Sequence, residues 1–357
     1  MQDACRPTIA LLGGFLGAGK TTLMLRAAHL LSGRGTRVAV ITNDQAAGLV
    51  DTRLAAATGI AAEEVTGGCF CCRFSDLLRA TDRLAKFRPE VIFAEPVGSC
   101  VDLSATILQP IKSLYGDRFR LAPLTVLVDP ALAREVRNGT ADPHVTWLFQ
   151  NQLREADIVC FGKADLFSEY PPLDTVVDFH LSARTGFGID EWLREVLAGS
   201  RICGARLLDI DYQTYAEAEA ALGWLNWDAT IELRKALSPP QLVGPLLDQL
   251  DRALTAAGAR IAHLKIFDRA RTGYLKASVC RNGEAPSTDG DPTVPPARRH
   301  DLTLNLRARA APELLRSIIQ EASATVPGRR SVTRLEAFQP APPRPEHRFT
   351  QVVPAPE

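Results

Sequence analysis

Apolar residues follow two different rhythms along the chain. In the first half, short runs are apolar throughout: Thr8–Leu12, Arg37–Thr42 (RVAVIT), Glu90–Ala94 (EVIFA), Leu124–Val128 (LTVLV), Asp157–Phe161 (DIVCF) and Val176–Leu181 (VVDFHL). Stretches with apolar residues at helical spacing lie between them, such as Thr21–Ser32, which stops at Gly33. Strands apolar on both faces and separated by helices predict an α/β domain with a mostly parallel sheet covered by helices. The second half alternates instead. Trp227–Arg234 (WDATIELR) and His300–Arg307 (HDLTLNLR) each lead into an amphipathic helix, Gln241–Ala257 and Ala311–Ala324. A further strand follows each helix, Arg260–Phe267 and Ser331–Phe338. Two β-α-β units of matching pattern predict a smaller α+β domain, a split β-α-β sandwich, with Gly273–Cys280 as a hairpin strand and Asn282–Pro296 as a loop. The expected division is a nucleotide-binding-type domain over 1–200, a connection over 201–226 and the small domain over 227–340. A proline-rich tail over 341–357 is expected to be disordered.

Composition narrows the partners. The 357 residues are 46% hydrophobic and 23% charged, with 41 basic and 41 acidic side chains. A net charge near zero gives no electrostatic reason to expect nucleic acid or an anionic membrane as partner. No apolar run approaches the ~20 residues that span a bilayer. The N-terminal stretch lacks a small-residue cleavage site after its apolar run, so a cytoplasmic protein is expected. In that reducing compartment, clustered cysteines favour a metal or a reactive thiol over a structural disulfide.

Gly14-Phe-Leu-Gly-Ala-Gly-Lys-Thr21 matches the Walker A pattern, with a strand before it and a helix after. Its glycines let backbone N–H groups turn toward phosphate oxygens, and the helix N-terminus adds partial positive charge. Gly14, Gly17, Ala18, Gly19, Lys20, Thr21 and Thr22 are the expected phosphate contacts, with Lys20 on the outer phosphates and the Thr21 hydroxyl on Mg²⁺. At the end of a late strand, Phe161-Gly162-Lys163-Ala164-Asp165 stands where GTPases carry Asn-Lys-x-Asp. Asp165 suits the guanine N1–H and exocyclic amine, a donor pair that adenine lacks. Ser182-Ala183 opens a loop resembling the second guanine-contacting segment. GTP is therefore favoured, and Gly162 in the place of Asn keeps an ATP-dependent kinase as a competing reading.

GGFLGAGKTTL, followed by GGCFCC and then by a strand ending in EPVG, resembles the CobW-type P-loop GTPases, relatives of UreG and HypB. The resemblance covers roughly 8–193. It implies GTP hydrolysis coupled to delivery of a transition metal, zinc or cobalt, to a client metalloprotein. Glu95 and Gly98 match the family's E-x-x-G motif, with Glu95 near Mg²⁺ and Gly98 sensing the γ-phosphate. Asn43-Asp44 matches a switch segment, and Asp44 and Asp51 are candidates to order Mg²⁺ or the attacking water. The catalytic set is thus Lys20, Asp44 and Glu95. Related GTPases also pair across the nucleotide face, so a homodimer is an expectation.

Cys69-Phe-Cys71-Cys72 places three of the eight cysteines within four residues. Thiolates suit Zn²⁺, Co²⁺ or Cu(I) and reject Mg²⁺ and Ca²⁺. A closed structural zinc site takes four ligands, and no second cysteine pair accompanies this cluster, which implies a labile site suited to transfer. In an extended segment Cys69 and Cys71 point one way and Cys72 the other. Competing readings are inert buried thiols, a redox pair, an edge of an intersubunit zinc site, and a structural metal within a nucleotide-dependent scaffold. Cys100 is distinguished from the other single cysteines by lying two residues beyond Gly98.

Overall fold

The computed structural model describes residues 6–45 and 50–354, which divide into two compact units. Among the described residues, the first unit takes in 6–45, 58–218 and 342–354, and the second takes in 50–57 and 219–341. The main boundary falls near residue 218, within the stretch expected to connect the domains. Two segments depart from the expected division. The short stretch 50–57 belongs with the second unit, and 342–354 belongs with the first.

The first unit is built on an eight-stranded sheet. Its strands are β1 (Thr8–Gly13), β2 (Val38–Asn43), β3 (Ala61–Val65), β4 (Val91–Glu95), β5 (Arg120–Leu121), β6 (Thr125–Val128), β7 (Ile158–Phe161) and β8 (Phe179–His180). Their order is β3-β2-β4-β1-β6-β7-β8, with β5 also on β1, and every pairing is parallel. Strands β1, β2, β4, β6 and β7 are buried almost throughout, as covering on both faces demands. Strand β3 escapes the apolar pattern because AAEEV lies at the edge and half-exposed, its Glu63 held by Arg83 at 2.6 Å. Strand β8 is shorter than expected, because Val176 is exposed rather than buried. Helix α1 (Lys20–Gly33) starts directly on the glycine loop. Farther along, α7 (Ile189–Leu197) inserts Trp192, whose ring stacks 6.3 Å from Phe93 and whose indole N–H donates to Thr125 Oγ1 at 3.1 Å.

The second unit is a six-stranded antiparallel sheet. Its strands are β9 (Gly223–Leu237), β10 (Arg260–Ala270), β11 (Gly273–Val279), β12 (Ser287–Gly290), β13 (Ala297–Arg309) and β14 (Arg329–Phe338). The order β12-β11-β10-β13-β9-β14 leaves β13 between β9 and β10, and β9 between β13 and β14. Each β-α-β unit is therefore split by a strand of the other, as the repeated pattern predicts. The connecting helices are α9 (Pro239–Ala256) and α10 (Pro312–Ala324). Leu242, Leu246, Leu250, Leu315 and Ile319 from them fill a core with Leu225, Ile231, Leu264 and Leu304 from the sheet. A polar cluster is also buried here. Arg307 lies 4.1 Å from the Trp224 ring and donates to Asn226 Oδ1 at 2.9 Å. Helix α2 (Val50–Ala57) joins this unit: the Val50 N–H donates to Asn305 Oδ1 at 2.9 Å, and Asp51 pairs with Lys265 at 2.7 Å.

Residues 342–354 are not the disordered tail that their prolines suggested. They run back over the first unit and bond to it repeatedly. The Glu346 N–H donates to Cys71 O at 2.9 Å, the Phe349 N–H to Ala105 O at 3.0 Å and the Val353 N–H to Gln109 Oε1 at 2.7 Å. Arg348 reaches the fully buried Asp102 carboxylate at 2.8 Å, which Tyr212 also bonds at 2.8 Å. Proline removes donors and fixes φ. It does not stop the residues between the prolines from being anchored.

Candidate functional site

The turn after β1 needs glycine for reasons that the coordinates make explicit. Gly14, Gly17 and Gly19 all have φ between 79° and 125°, the left-handed side that L-residues avoid. At Gly14 a Cβ would stand 2.2 Å from Leu127 O, so the loop lies directly on β6. Lys20 and Thr21 open α1 and are buried. Lys20 Nζ donates to Phe15 O at 3.3 Å and stands 3.8 Å from Glu95 Oε1. Thr21 Oγ1 donates to Glu95 Oε2 at 2.7 Å. The fold thus brings Lys20, Thr21 and Glu95 to one point, where the C-terminal ends of β1 and β4 meet. Such strand ends are where open parallel sheets bind ligands. Gly98 closes the point from above: a Cβ there would lie 2.9 Å from Leu16 N. Two oxygen donors side by side, a hydroxyl and a carboxylate, suit a hard cation such as Mg²⁺.

Beyond β7, Lys163 adopts φ 57° and its Nζ pairs with Asp129 at 2.9 Å. Asp129 ends β6 and also caps helix α5 (Pro130–Arg137) by accepting from Ala131 N–H at 2.8 Å. Asp165 accepts from Ser182 Oγ at 2.7 Å, which ties together the two loops expected to contact the base. The Ala183 loop turns back through Gly186 N–H to Ser182 O at 2.8 Å. A Cβ at Gly162 would lie 3.1 Å from Ala18 O. The strand end therefore sits against the phosphate loop, a separation that suits glycine better than asparagine.

The cysteine stretch is a turn rather than an extended strand, which corrects the expected alternation of its side chains. Gly67 has φ 80°, and Cys72 N–H and Arg73 N–H both return to Cys69 O at 3.0 Å. All three thiols therefore converge. Their sulfurs are 2.7 Å (Cys69–Cys71), 3.3 Å (Cys69–Cys72) and 3.7 Å (Cys71–Cys72) apart. Two sulfurs on one tetrahedral zinc stand about 3.8 Å apart, given a Zn–S distance of about 2.3 Å. The two longer separations already approach that value, and the shortest has to open. Cys69 and Cys71 are buried and Cys72 partly so.

Asn43, expected in a switch segment, holds this turn. Its Nδ2 donates to Val65 O at 3.0 Å and Gly68 O at 2.8 Å, and its Oδ1 accepts the Phe70 N–H at 2.8 Å. Asp44 follows it, buried, with its N–H on Val65 O at 3.1 Å. Asp51, expected near Mg²⁺, is the partner of Lys265 in the second unit.

The thiols of this turn are shifted in opposite directions by one another. Cys69 is held well below the ordinary thiol range, first by a hydrogen bond from Cys100 and then by those from Cys71 and Cys72. The hydrogen bond to Cys69 in turn, with burial behind it, pushes Cys71 well up and Cys72 up to about 12. Cys72 Sγ also accepts the Arg344 N–H of the tail at 3.0 Å. Asp129 carried no sequence signal, and the signals at Asn43 and in the tail did not point to these contacts, since each acts across a fold that local pattern does not show.

Residues 8–181 match the CobW/HypB/UreG nucleotide-binding domain. Over this segment the chain is similar to that family. The CobW-type domain has curated relatives among the zinc chaperones of Escherichia coli (strain K12). YjiA is 32% identical over 171 residues, 45% of this chain and 50% of the relative. YeiR is 29% identical over 160 residues, 43% and 46% respectively. The chain spans about half the length of the curated relatives it matches. Among solved structures, the zinc-bound YjiA GTPase from E. coli is similar with a TM-score of 0.33 at 19% identity, covering 90% of this chain and 98% of that one. HypB from Helicobacter pylori in complex with nickel has a TM-score of 0.40 at 16% identity, covering 55% and 87%. Among the described residues, no helix is long and apolar enough to cross a membrane.

Proposed function

We propose that the chain is a GTP-hydrolysing metallochaperone that carries a transition metal, Zn²⁺ or Co²⁺, on Cys69, Cys71 and Cys72 and delivers it to a client metalloprotein. The carrying observation is that the phosphate loop follows β1, Glu95 ends the adjacent strand β4, and Asn43 at the end of the next strand, β2, holds the thiol turn that follows edge strand β3. Glu95 on β4 bonds Thr21, and Asn43 on β2 bonds the cysteine turn. A change of nucleotide at Thr21 and Gly98 is one strand away from the residue that holds the metal ligands.

In this reading the amides of 14–19 cradle the phosphates and Lys20 offsets the charge that develops on them. Bound Mg²⁺ supplies Lewis-acid stabilisation of that charge, and Thr21 with Glu95 is the donor pair that would hold it. Glu95 frees Lys20 and Thr21 for phosphate only when it takes up another partner, so ligand binding reorganises this contact. Asp44, just after β2, would orient the attacking water. Asp165 and Ser182 select guanine. The relatives' description as zinc chaperones supports the choice of cargo.

The test is turnover with purified full chain. GTP is expected to be hydrolysed at least tenfold faster than ATP, and Glu95→Gln to lower kcat by about 10²-fold, the scale of removing one preorganised electrostatic contact. Equal rates with GTP and ATP would contradict the guanine assignment, and unchanged turnover in Glu95→Gln would remove that residue from the catalytic set.

A further inference from the structure

The three clustered thiols leave a four-coordinate metal one ligand short. Among the described residues, Cys69, Cys71 and Cys72 form the group whose ligand atoms lie within 4.8 Å of one another. Cys100 is not in that group, but its side chain is a hydrogen-bond partner of Cys69. Cys69 is thereby the hub of four sulfurs, not three. The position of Cys100 is set by its backbone. Its N–H closes a turn onto Val97 O at 2.9 Å, and Gln152 Nε2 donates to both Gly98 O and Cys100 O at 3.0 Å. One buried amide thus holds the carbonyl of the residue expected to sense the γ-phosphate and the carbonyl of the fourth cysteine together.

The surroundings favour this thiol over an outside donor. Residues 91–103 are buried throughout, with Ser99 and Asp102 at 0% exposure and Cys100 at 1%. On the other side of the turn the tail lies over the cysteines, through Arg344 N–H on Cys72 Sγ and Glu346 N–H on Cys71 O. A ligand from another molecule would have to displace that strap. Cys100 has only to swing toward a sulfur that it already contacts.

We propose that Cys100 is the fourth thiolate of the metal site and that it ties the cargo to the Glu95–Gly98 loop. The inference rests on the metallochaperone reading above and adds the ligand that completes its site. Coordination releases the Cys100 proton to solvent as the sulfur binds. Because Cys100 is two residues from Gly98, any movement of that loop with nucleotide state moves one ligand relative to the other three. A soft divalent cation with four thiolates in one state and three in the other would be tightly held and then exchangeable.

Co²⁺ is the probe, added to the full chain with GDP and with a non-hydrolysable GTP analogue. In at least one nucleotide state the unmodified protein is expected to show a tetrahedral four-thiolate spectrum, and Cys100→Ser to lose roughly a quarter of the thiolate-to-cobalt absorbance and at least tenfold in affinity. Cys203→Ser, a buried thiol elsewhere in the unit, is expected to change neither. X-ray absorption on the unmodified zinc-loaded protein gives a second answer that needs no variant: four sulfur neighbours support the proposal, and three sulfurs with one oxygen or nitrogen in both states overturn it. A spectrum and affinity unchanged by Cys100→Ser would also overturn it. If Cys71→Ser leaves the cobalt spectrum intact, the underlying metal reading fails instead, which separates the two failures.

Discussion

At the scale of single residues, the site depends on contacts with little tolerance. Gly14→Ala would drive a methyl group to within 2.2 Å of Leu127 O in a backbone conformation that alanine avoids. Loss of measurable binding of a fluorescent GTP analogue is the expected result, with the fold preserved by circular dichroism. Asp102 is a second such point. Burial raises its pKa, while Arg348 and then Tyr212 pull it back. Removing the guanidinium strands a buried carboxylate, so Arg348→Met is expected to cost about 1.5–3 kcal/mol in urea unfolding. Glycines and lysine in the phosphate loop were legible because their chemistry is local: the spacing itself makes the cradle. Gln152 was not, and Asn43 was marked for a switch segment and not for this turn. Each is an amide whose value lies in bonding loops 22–27 or 52–54 residues away, and no short pattern marks that.

At the scale of elements, the buried strands and amphipathic helices follow directly from periodicity, and the failures occur where periodicity is weak. Edge strand β3 alternates too faintly, and the thiol segment turns because Gly67 and Gly68 let it. The tail shows the largest difference, since an anchored strap and a disordered one share the same proline content. Paired substitution of Glu346→Ala and Arg348→Met should loosen this strap. Glu346 accepts from Ser75 N–H at 3.1 Å and Ser75 Oγ at 2.6 Å, and both bonds would be lost. Alkylation of Cys72 is expected to quicken at least tenfold, read by mass spectrometry of the labelled peptide. In the second unit, β10 and β13 carry a buried pair, Asp268 and His300, with Oδ2 and Nδ1 2.8 Å apart. Burial opposes charge on His300, but its bond to Asp268 more than compensates, so its pKa is raised. Burial likewise pushes Asp268 up, and His300 pulls it back in part. A histidine raised above its unfolded value near 6.5 contributes stability that is full below that pH and is lost as pH rises through the folded value. Thermal unfolding from pH 5.5 to 8.5 should therefore show the stability difference between wild type and His300→Asn shrinking with rising pH.

At the scale of the whole molecule, two patterns in one chain were legible as two folds: continuous apolar runs as a parallel sheet, alternating runs as a split β-α-β sheet. What the pattern did not show is that the chain leaves the first unit after β2, contributes α2 to the second, and returns as β3. Asp51 therefore pairs with Lys265 within the second unit. The central claim concerns the first unit alone, where the thiol turn and the phosphate loop share one sheet and Asn43 and Glu95 occupy neighbouring strands. If they act together, nucleotide and metal must be linked, and a ligand shifts an equilibrium only by its differential affinity for the two states. The most direct measurement is the Zn²⁺ affinity of the purified chain by competition with a chromophoric chelator, once with GDP and once with a non-hydrolysable GTP analogue. A difference of about tenfold or more, some 1.4 kcal/mol of coupling, is the predicted result; equal affinities in the two states would contradict a nucleotide-driven carrier.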